Sequence, residues 1–444
     1  MNSLIIKDNS RIDKEEFLKI KGLTDQIKNK TLGELSKENL FIFPKAIEDS
    51  DDLEEGQMIL QEFNNKIHSS NVMGFLGRGE ERLVISSRFD LDGRDYFLKY
   101  LIQRVFDFPN ITSFEADSNR DERIFNFLAF LFPVYLKSAM RKGIFKTYIN
   151  KKYNDKNVKG AIDVHRHIIK NTPFVCNIAY NQREYSYDNY LTELVRHTAE
   201  YIKKKPYGKE ILSRAKQQIK TIILATPSYE QFDRGRVILY NKKNPLRHAY
   251  YSEYRALQSL CLFILEHQKH QIGAGSNKLY GVLFDGAWLW EEYINQIIGD
   301  TFYHPRNKAK TGRNYLFSGG TGKIYPDFIS KNPEERIIAD AKYKPINNIS
   351  REDYFQLLAY MLRFDSQKGY YLYPEAEGNS PKALWLNRGS SFEGNVSRRE
   401  DFLVTKYGFQ IPKGAKNYEE FSLKMREEEK RCLNFVKIKS IDKA

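Results

Sequence analysis

The stretch "YPDFISKNPEERIIADAKYK", residues 325–344, sets an Asp directly after a Pro and then ends an apolar run on Asp-Ala-Lys. Read as a strand with a period of two, "RIIADAKYK" projects Asp340 and Lys342 from one face and Ala339, Ala341 and Tyr343 from the other. The carboxylate and the ammonium are then about 7 Å apart along one edge. Asp327 ends a neighbouring strand in "IYPDF", and a hairpin through "SKNPEE" would bring it to Asp340. Two carboxylates that close repel unless a proton or a cation intervenes. A hard divalent ion with oxygen ligands, magnesium or manganese in its place, removes the conflict. A Lys beside it can orient or help deprotonate a water and neutralise charge growing on a phosphate. An isolated D-x-K is more often an exposed ion pair at a strand end. Three additions count against that here: Asp327 upstream, the patterned helix "DYFQLLAY" downstream, and the acids of "LWEEYI" on a helix before the sheet.

Working outward from this stretch, "HQIGAGSNKLY" (270–280) concentrates Gly, Ser and Asn between two patterned regions and marks a boundary. Three segments follow: a strand-rich N-terminal module over 1–110, a mostly helical basic region over 111–275, and an α/β segment over 276–444. In the first, "NVMGFLGRGEERLVISSRF" predicts a hairpin turning at Gly77-Arg78-Gly79. In the second, "DERIFNFLAFLFPVYLKSAMRKG", "YDNYLTELVRHTAEYIKKK" and "SEYRALQSLCLFILEHQ" have helical spacing, whereas "VKGAIDVHRHI" alternates like a strand. The third runs through a helix at "AWLWEEYINQII", strands "NYLFSG", "KIYPDFI" and "RIIADAKYK", a helix at "REDYFQLLAYMLRF", and the strand "GYYLYP".

At 444 residues, 41% of them apolar, the chain exceeds what one core holds, and more than one domain is expected. Three cysteines, Cys176, Cys261 and Cys432, form no CxxC pair, which argues against both a disulfide framework and a Cys-based metal site. A short apolar patch at the N-terminus is no secretory core, and no apolar run approaches the ~20 residues of a membrane span. A soluble cytoplasmic protein without membrane contact is expected. The formal net charge of +14 is concentrated in residues 111–280, which hold 29 Lys and Arg against 15 Asp and Glu. Clusters such as "YIKKKPYGK", with Lys203, Lys204 and Lys205, suit a DNA phosphate backbone, although solvated helix faces look much the same.

Other signals read more plainly as structure. "FSGGTGKI" (317–324) fails the phosphate-loop pattern, because Phe317 stands where the first Gly belongs and Ile324 where Ser or Thr would meet magnesium. It reads as a hairpin turn, so any nucleotide hydrolysis belongs to a partner and no nucleotide is expected on this chain. His165 and His167 would share a strand face, with His197 as a third ligand, but no acid stands at diagnostic spacing and ordinary histidines are favoured. The tyrosines of "YYSEYRALQSL" read as helix packing before base stacking.

The order Glu, Pro-Asp, Asp-x-Lys, then a Gln-bearing helix resembles the PD-(D/E)xK nuclease core. "VLFDGAWLWEEYI", "YPDFI", "IIADAKYK" and "DYFQLLAYM" resemble the nuclease blocks of the McrC family of modification-dependent restriction subunits. "RKGIFKTYI", "VKGAIDVHRHI" and "REYSYDNYLTELVRHTAEYI" are similar to that family's middle segment, so the likeness runs over roughly 130–375. The resemblance implies an α+β chain with a C-terminal PD-(D/E)xK α/β core and magnesium-dependent DNA cleavage. Asp327 and Asp340 match the metal carboxylates, Glu291 the helix-borne acid near the metal, Lys342 the catalytic Lys and Gln356 the helix Gln. Ala341, where family members often carry Thr, offers only its carbonyl as a ligand. The resemblance also implies docking on a McrB-like, GTP-hydrolysing AAA+ hexamer whose turnover this subunit stimulates. Arg78 at the hairpin tip is the group expected to reach the nucleotide. A self-dimer through the nuclease domain stays open, as do a stand-alone nuclease and a non-catalytic adaptor.

Overall fold

The computed structural model describes residues 2–35, 39–43, 56–106, 120–205, 208–270, 279–305, 314–378, 381–389 and 396–438. Most of the Gly/Ser/Asn-rich boundary stretch, 271–278, lies outside them. The chain forms two compact units, Met1–Ala116 with Ser276–Ala444 and Asp117–Gly275. The N-terminal and C-terminal segments, divided by the sequence reading into separate domains, thus share one unit. The physical reason is strand pairing. Leu279–Asp285 pairs antiparallel with Val72–Arg78 and parallel with Asn39–Phe43, inside a sheet completed by Glu81–Ser86 and Asn2–Lys7. Such a sheet cannot form from the N-terminal residues alone.

Val72–Arg78 and Glu81–Ser86 are rich in β-branched and apolar residues and are buried along nearly their whole length, as central strands are. Their hairpin turns at Gly79-Glu80, one step later than expected, with Arg78 paired to Glu81 and Gly79 holding the positive φ of +54°. Phe17, Ile20, Leu23 and Ile27 pack into the same apolar cluster as Leu4, Leu76 and Leu83 of the sheet.

The second sheet of this unit has the order Phe302–Tyr303, Phe328–Ser330, Ile337–Ala341, Lys368–Glu375, Arg398–Gln410, Lys382–Asn387. Phe328 stands opposite Ala339 and Ile329 opposite Ile338 in an antiparallel pair, as the "SKNPEE" hairpin requires. Ile337–Ala341 then pairs in parallel with Lys368–Glu375, and the helix Arg351–Arg363 makes the crossover. Asp353 opens that helix by accepting from the Ser350 N–H at 2.7 Å. Leu357, Tyr360 and Met361 face the sheet in one cluster with Ile338 and Tyr371. The approach is close at Gly369, where a Cβ would lie 2.6 Å from the Met361 sulfur. The helix Gly286–Ile298 starts at Asp285, whose carboxylate accepts from the Ala287 N–H at 2.9 Å, and Trp290 ties it to the sheet by donating to the Leu372 carbonyl at 3.0 Å. "KIYPDFI" is two elements rather than one strand. Thr321–Ile324 closes a separate hairpin with Asn314–Phe317, and after Pro326 the chain enters the larger sheet at Phe328. "FSGGTGKI" is the turn of that hairpin, as expected.

The other unit contains the expected helices Arg120–Ala139, Tyr190–Lys203 and Ser252–His270. Beside them lies a sheet of Thr147–Asp155, Ile178–Ser186 and Ala161–Ile162, which the helical reading of this region missed. "VKGAIDVHRHI" is a strand only at Ala161–Ile162. Asp163 then caps a helix, Val164–Lys170, by accepting from the Arg166 N–H at 3.1 Å. His165 and His167 therefore point about 200° apart on a helix rather than along one strand face. His197 is buried on another helix against Tyr229. Tyr254 is core, as expected, whereas Tyr250 is exposed. Among the described residues no helix is long and apolar enough to cross a membrane.

Candidate active site

Lys342, one residue beyond the strand Ile337–Ala341, is the hub of the site. Its Nζ lies 2.9 Å from Asp340 Oδ2 and 3.5 Å from Asp353 Oδ1, and it donates to Gln356 Oε1 at 3.0 Å. Gln356 in turn donates to the Tyr360 hydroxyl at 2.9 Å. Asp353, Gln356 and Tyr360 recur every three to four residues, so one face of their helix meets the end of the strand. Lys344 adds a second ammonium 3.1 Å from Asp353. Burial opposes the charge on Lys342, but Asp340, Asp327 and Asp353 more than offset it and hold the ammonium above the usual lysine range. Burial also opposes ionisation of Asp353, yet the Ser350 N–H and the two lysines keep its carboxyl below the ordinary value.

Asp327 is anchored across the hairpin, its Oδ2 accepting from the Ala341 N–H at 2.9 Å. Burial, then the charges of Glu291 and Asp340, push its carboxyl well above the usual range, while Lys342 pulls the other way. Glu291 and Glu292 both approach His304 Nε2, at 3.8 and 3.7 Å. His304 Nδ1 donates to the Asp327 carbonyl at 3.0 Å, and its ring stacks on Phe328. Burial opposes a charged His304, but Glu292, the Asp327 carbonyl and Glu291 raise its pKa above the ordinary value. The histidine thus braces the turn that carries Asp327.

Asp327, Asp340, Lys342, Glu291, Gln356 and Tyr360 line a cleft of 540 Å³, with Asp353 and His304 behind them. Its other wall comes from the N-terminal segment through Asn71 and Arg88. Arg88 lies 4.7 Å over the Tyr343 ring, donates to the Tyr343 carbonyl at 3.1 Å and to Asn71, and pairs with Asp8 at 3.3 Å. Burial pushes the Asp8 carboxyl up to about 6 against the pull of Arg88. The Tyr343 hydroxyl and Ser87 Oγ are 2.6 Å apart. The residue after Lys342 is therefore clamped by the N-terminal sheet.

Among the described residues no three His, Cys, Asp or Glu side chains gather closely enough to hold an ion by themselves. Glu291 reaches the cleft but does not complete a cage with Asp327 and Asp340. Magnesium needs no such cage, since it keeps several waters and takes one or two carboxylates. Asp340 Oδ2 lies against the Lys342 ammonium, and the raised Asp327 carboxyl, beside Asp340 and Glu291, marks negative charge that this one ammonium does not offset. That excess fits a cation.

The sequence reading named Asp327, Asp340, Lys342, Glu291 and Gln356, and all five line the cleft. It missed Asp353, which helical spacing from Gln356 could have found, and it missed His304 and Arg88, for which no local pattern exists. Arg78 flanks the tip rather than forming it. Its Nη1 is 3.9 Å from Glu81 and packs on Gly22, leaving Gly79 and Glu80 exposed at the turn. Lys203 and Lys204 are exposed at the end of their helix, Lys203 lying 3.8 Å from Glu200, and Lys205 sits beside the Tyr201 ring.

No curated protein sequence matches this chain. Among solved structures, it is similar at 14% identity to the refined half-complex from the tetradecameric assembly of Thermococcus gammatolerans McrB AAA+ hexamers with bound McrC. That match covers 96% of this chain and 99% of that one, with a TM-score of 0.46. The cryo-EM structure of the Thermococcus gammatolerans McrBC complex also matches at 14% identity, over 67% of this chain and 87% of that one, with a TM-score of 0.29. The family model of the McrBC 5-methylcytosine restriction system component matches residues 67–374, well over half of the sequence, and the chain belongs to that family.

Proposed function

We propose that this protein is the DNA-cleaving subunit of a McrBC-type restriction system, a PD-(D/E)xK endonuclease that works with a GTP-hydrolysing AAA+ ring. The observation that carries this reading is Lys342 held at the mouth of a cleft between the Asp327–Asp340 pair and the Asp353–Gln356 face of a helix. Asp327, Asp340 and the Ala341 carbonyl would hold magnesium. When bound, the ion supplies Lewis-acid polarisation of a phosphate oxygen and a more acidic water. The protein's own residues supply the rest. Lys342 presents a fixed positive charge to the phosphate as negative charge develops on it. Gln356 and Asp353 hold that ammonium in place, Glu291 and His304 fix the Asp327 turn, and the Arg88–Tyr343 clamp sets where the strand ends. Clustered acids of like charge around a lysine are costly to bury and serve no purpose in a mere docking platform.

The partner belongs to the same reading. Membership in a restriction-system component family supports it, and no nucleotide site is proposed on this chain. Arg78 would have to leave Glu81 and Gly22 before it could reach a partner's nucleotide, so the exposed Gly79-Glu80 tip is the nearer contact. The test is plasmid cleavage by the chain alone and with a cognate AAA+ ring, with and without magnesium and GTP. Cleavage that needs magnesium and rises with ring and GTP is expected. Efficient cleavage by the chain alone, indifferent to GTP, removes the partner from the reading. No cleavage under any of these conditions removes the nuclease.

A further inference from the structure

Thr147–Asp155 and Ile178–Ser186 pair antiparallel over nine residues each, from Thr147 opposite Ser186 to Asp155 opposite Ile178. Alternation divides the pair into two unlike faces. One face collects the acids: Glu184 accepts from the Tyr153 hydroxyl and lies 3.6 Å from Lys151, and Asp155 accepts from the Tyr180 hydroxyl. The other carries Tyr148, Asn150, Lys152 and Asn154 opposite Tyr185, Arg183, Asn181 and Ala179, with no acid among them. Tyr148 and Tyr185 are 58% and 51% exposed with ring centroids 4.9 Å apart. Arg183 lies 4.5 Å over Tyr148, and Lys146 lies 4.7 Å from both the Tyr185 and Tyr187 rings.

We propose that this face binds an unpaired DNA strand, its tyrosines stacking on bases and Lys146, Lys152 and Arg183 following the phosphates. Aromatic side chains carry large apolar area that a protein ordinarily buries, and here two stand out from an open sheet. Cations interleaved with exposed rings match what a polynucleotide offers, a charged backbone with flat apolar bases. An unpaired strand is required because in a duplex the faces of each base are already covered by its neighbours. Asn150 adds a donor and an acceptor suited to base edges, whereas Asn154 is paired both ways with Asn171 and Asn181 donates to Asp163 at 3.4 Å. The more purely apolar exposed residues of this unit, Val164, Ile168, Ile169, Phe174 and Val175, carry no such interleaved cations. The surrounding excess of 29 Lys and Arg over 15 Asp and Glu in residues 111–280 supplies the long-range attraction.

The inference uses no step of the cleavage reading, and its test is run without magnesium so that binding is measured apart from cutting. The full chain is titrated against a fluorescent oligothymidine of about twenty nucleotides and against a duplex of the same length, across a salt series. Tighter binding of the single strand is expected. Tyr148→Ala with Tyr185→Ala should weaken it about tenfold or more with little change in salt slope, and Tyr148→Phe with Tyr185→Phe should restore it. Arg183→Gln and Lys152→Gln should each lower the slope of log affinity against log salt by about 0.7. Lys151→Gln on the opposite face should leave stacking intact. Wild-type affinity in the alanine pair, equal loss for single strand and duplex, or no single-strand binding by the parent chain would each overturn the proposal.

Discussion

The cleft at Lys342 and the open sheet face at Tyr148 both assemble charge, and they do so in opposite ways. At the cleft, buried Asp340 and Asp353 and half-buried Asp327 surround an ammonium only 15% exposed, so the acids hold Lys342 charged while it pulls on Asp327 and Asp353, and none can be moved alone. On the sheet face, Arg183 and Lys152 are exposed on two neighbouring strands, where charges act nearly independently. Burial makes the first a constellation with sharp positional demands. Exposure makes the second a surface whose strength accumulates by small, additive contacts.

The largest effect should come from the cleft. Lys342→Ala and Asp340→Asn should each lower magnesium-dependent nicking by about 10²–10³-fold, the scale of losing a charge-stabilising group aimed at a developing anion. DNA binding should stay close to that of the parent chain. Full nicking activity in either variant would break the distinction between the two regions at its root.

A second test concerns what each unit buries. Unlike the paired charges of the cleft, His197 is buried in the other unit, and burial, then Arg234, lowers its pKa to about 4. A histidine with a depressed folded pKa contributes stability that is present above its unfolded value near 6.5 and is lost as pH falls through about 4. The contribution is about 3 kcal/mol at most, and solvent screening brings it below that ceiling. His197→Phe should keep the contact with Tyr229 and flatten acid unfolding of the protein between those pH values. Superimposable acid transitions for variant and parent would show that this histidine does not set acid stability.

Next in size is Asp353→Asn. This residue touches Lys342 without belonging to the Asp327–Asp340 pair, so it acts as a positioning residue, and such outer contacts typically cost about 10–100-fold. The loss should appear in nicking rate and leave the magnesium concentration for half-activity nearly unchanged. A large shift in that concentration would instead make Asp353 part of the cation's own surroundings.

These contrasts also explain what the sequence could and could not reveal. Asp340 and Lys342 were legible because strand alternation is rigid, and Asp327 because a short hairpin leaves one pairing register. Gln356 was legible through its motif, and Asp353 was available through the same helical period. Arg88, which lines the cleft, and His304, which contacts Glu291 and the Asp327 carbonyl, were not, since they stand 254 and 38 residues before Lys342 along the chain and only the folded sheets bring them there. The union of the first and last segments was hidden for the same reason: Leu279–Asp285 reads as an ordinary strand, and nothing local says that its partners lie at 39–43 and 72–78. The middle sheet was hidden differently. Its strands carry Lys, Asn and Tyr on their exposed face, so the apolar alternation that marks a half-buried strand is weak.

The smallest expected effect sharpens the comparison from the other side. Lys203, Lys204 and Lys205 form the densest basic run in the middle region, and by charge count alone they are the natural DNA contact. Their setting argues for less. Lys203 lies within 3.8 Å of Glu200, and Lys205 sits beside the Tyr201 ring, so two of the three ammoniums already have neighbours. Among the described residues no exposed ring pair accompanies them that could stack on a base. Replacing all three with Gln should therefore weaken duplex and single strand alike, the salt slope falling by at most about 0.9 for each phosphate that is no longer neutralised. The preference for the single strand should survive unchanged. If the triple variant instead abolished that preference while the Tyr148 and Tyr185 variants kept it, density of charge rather than the arrangement of rings and cations would decide where DNA binds.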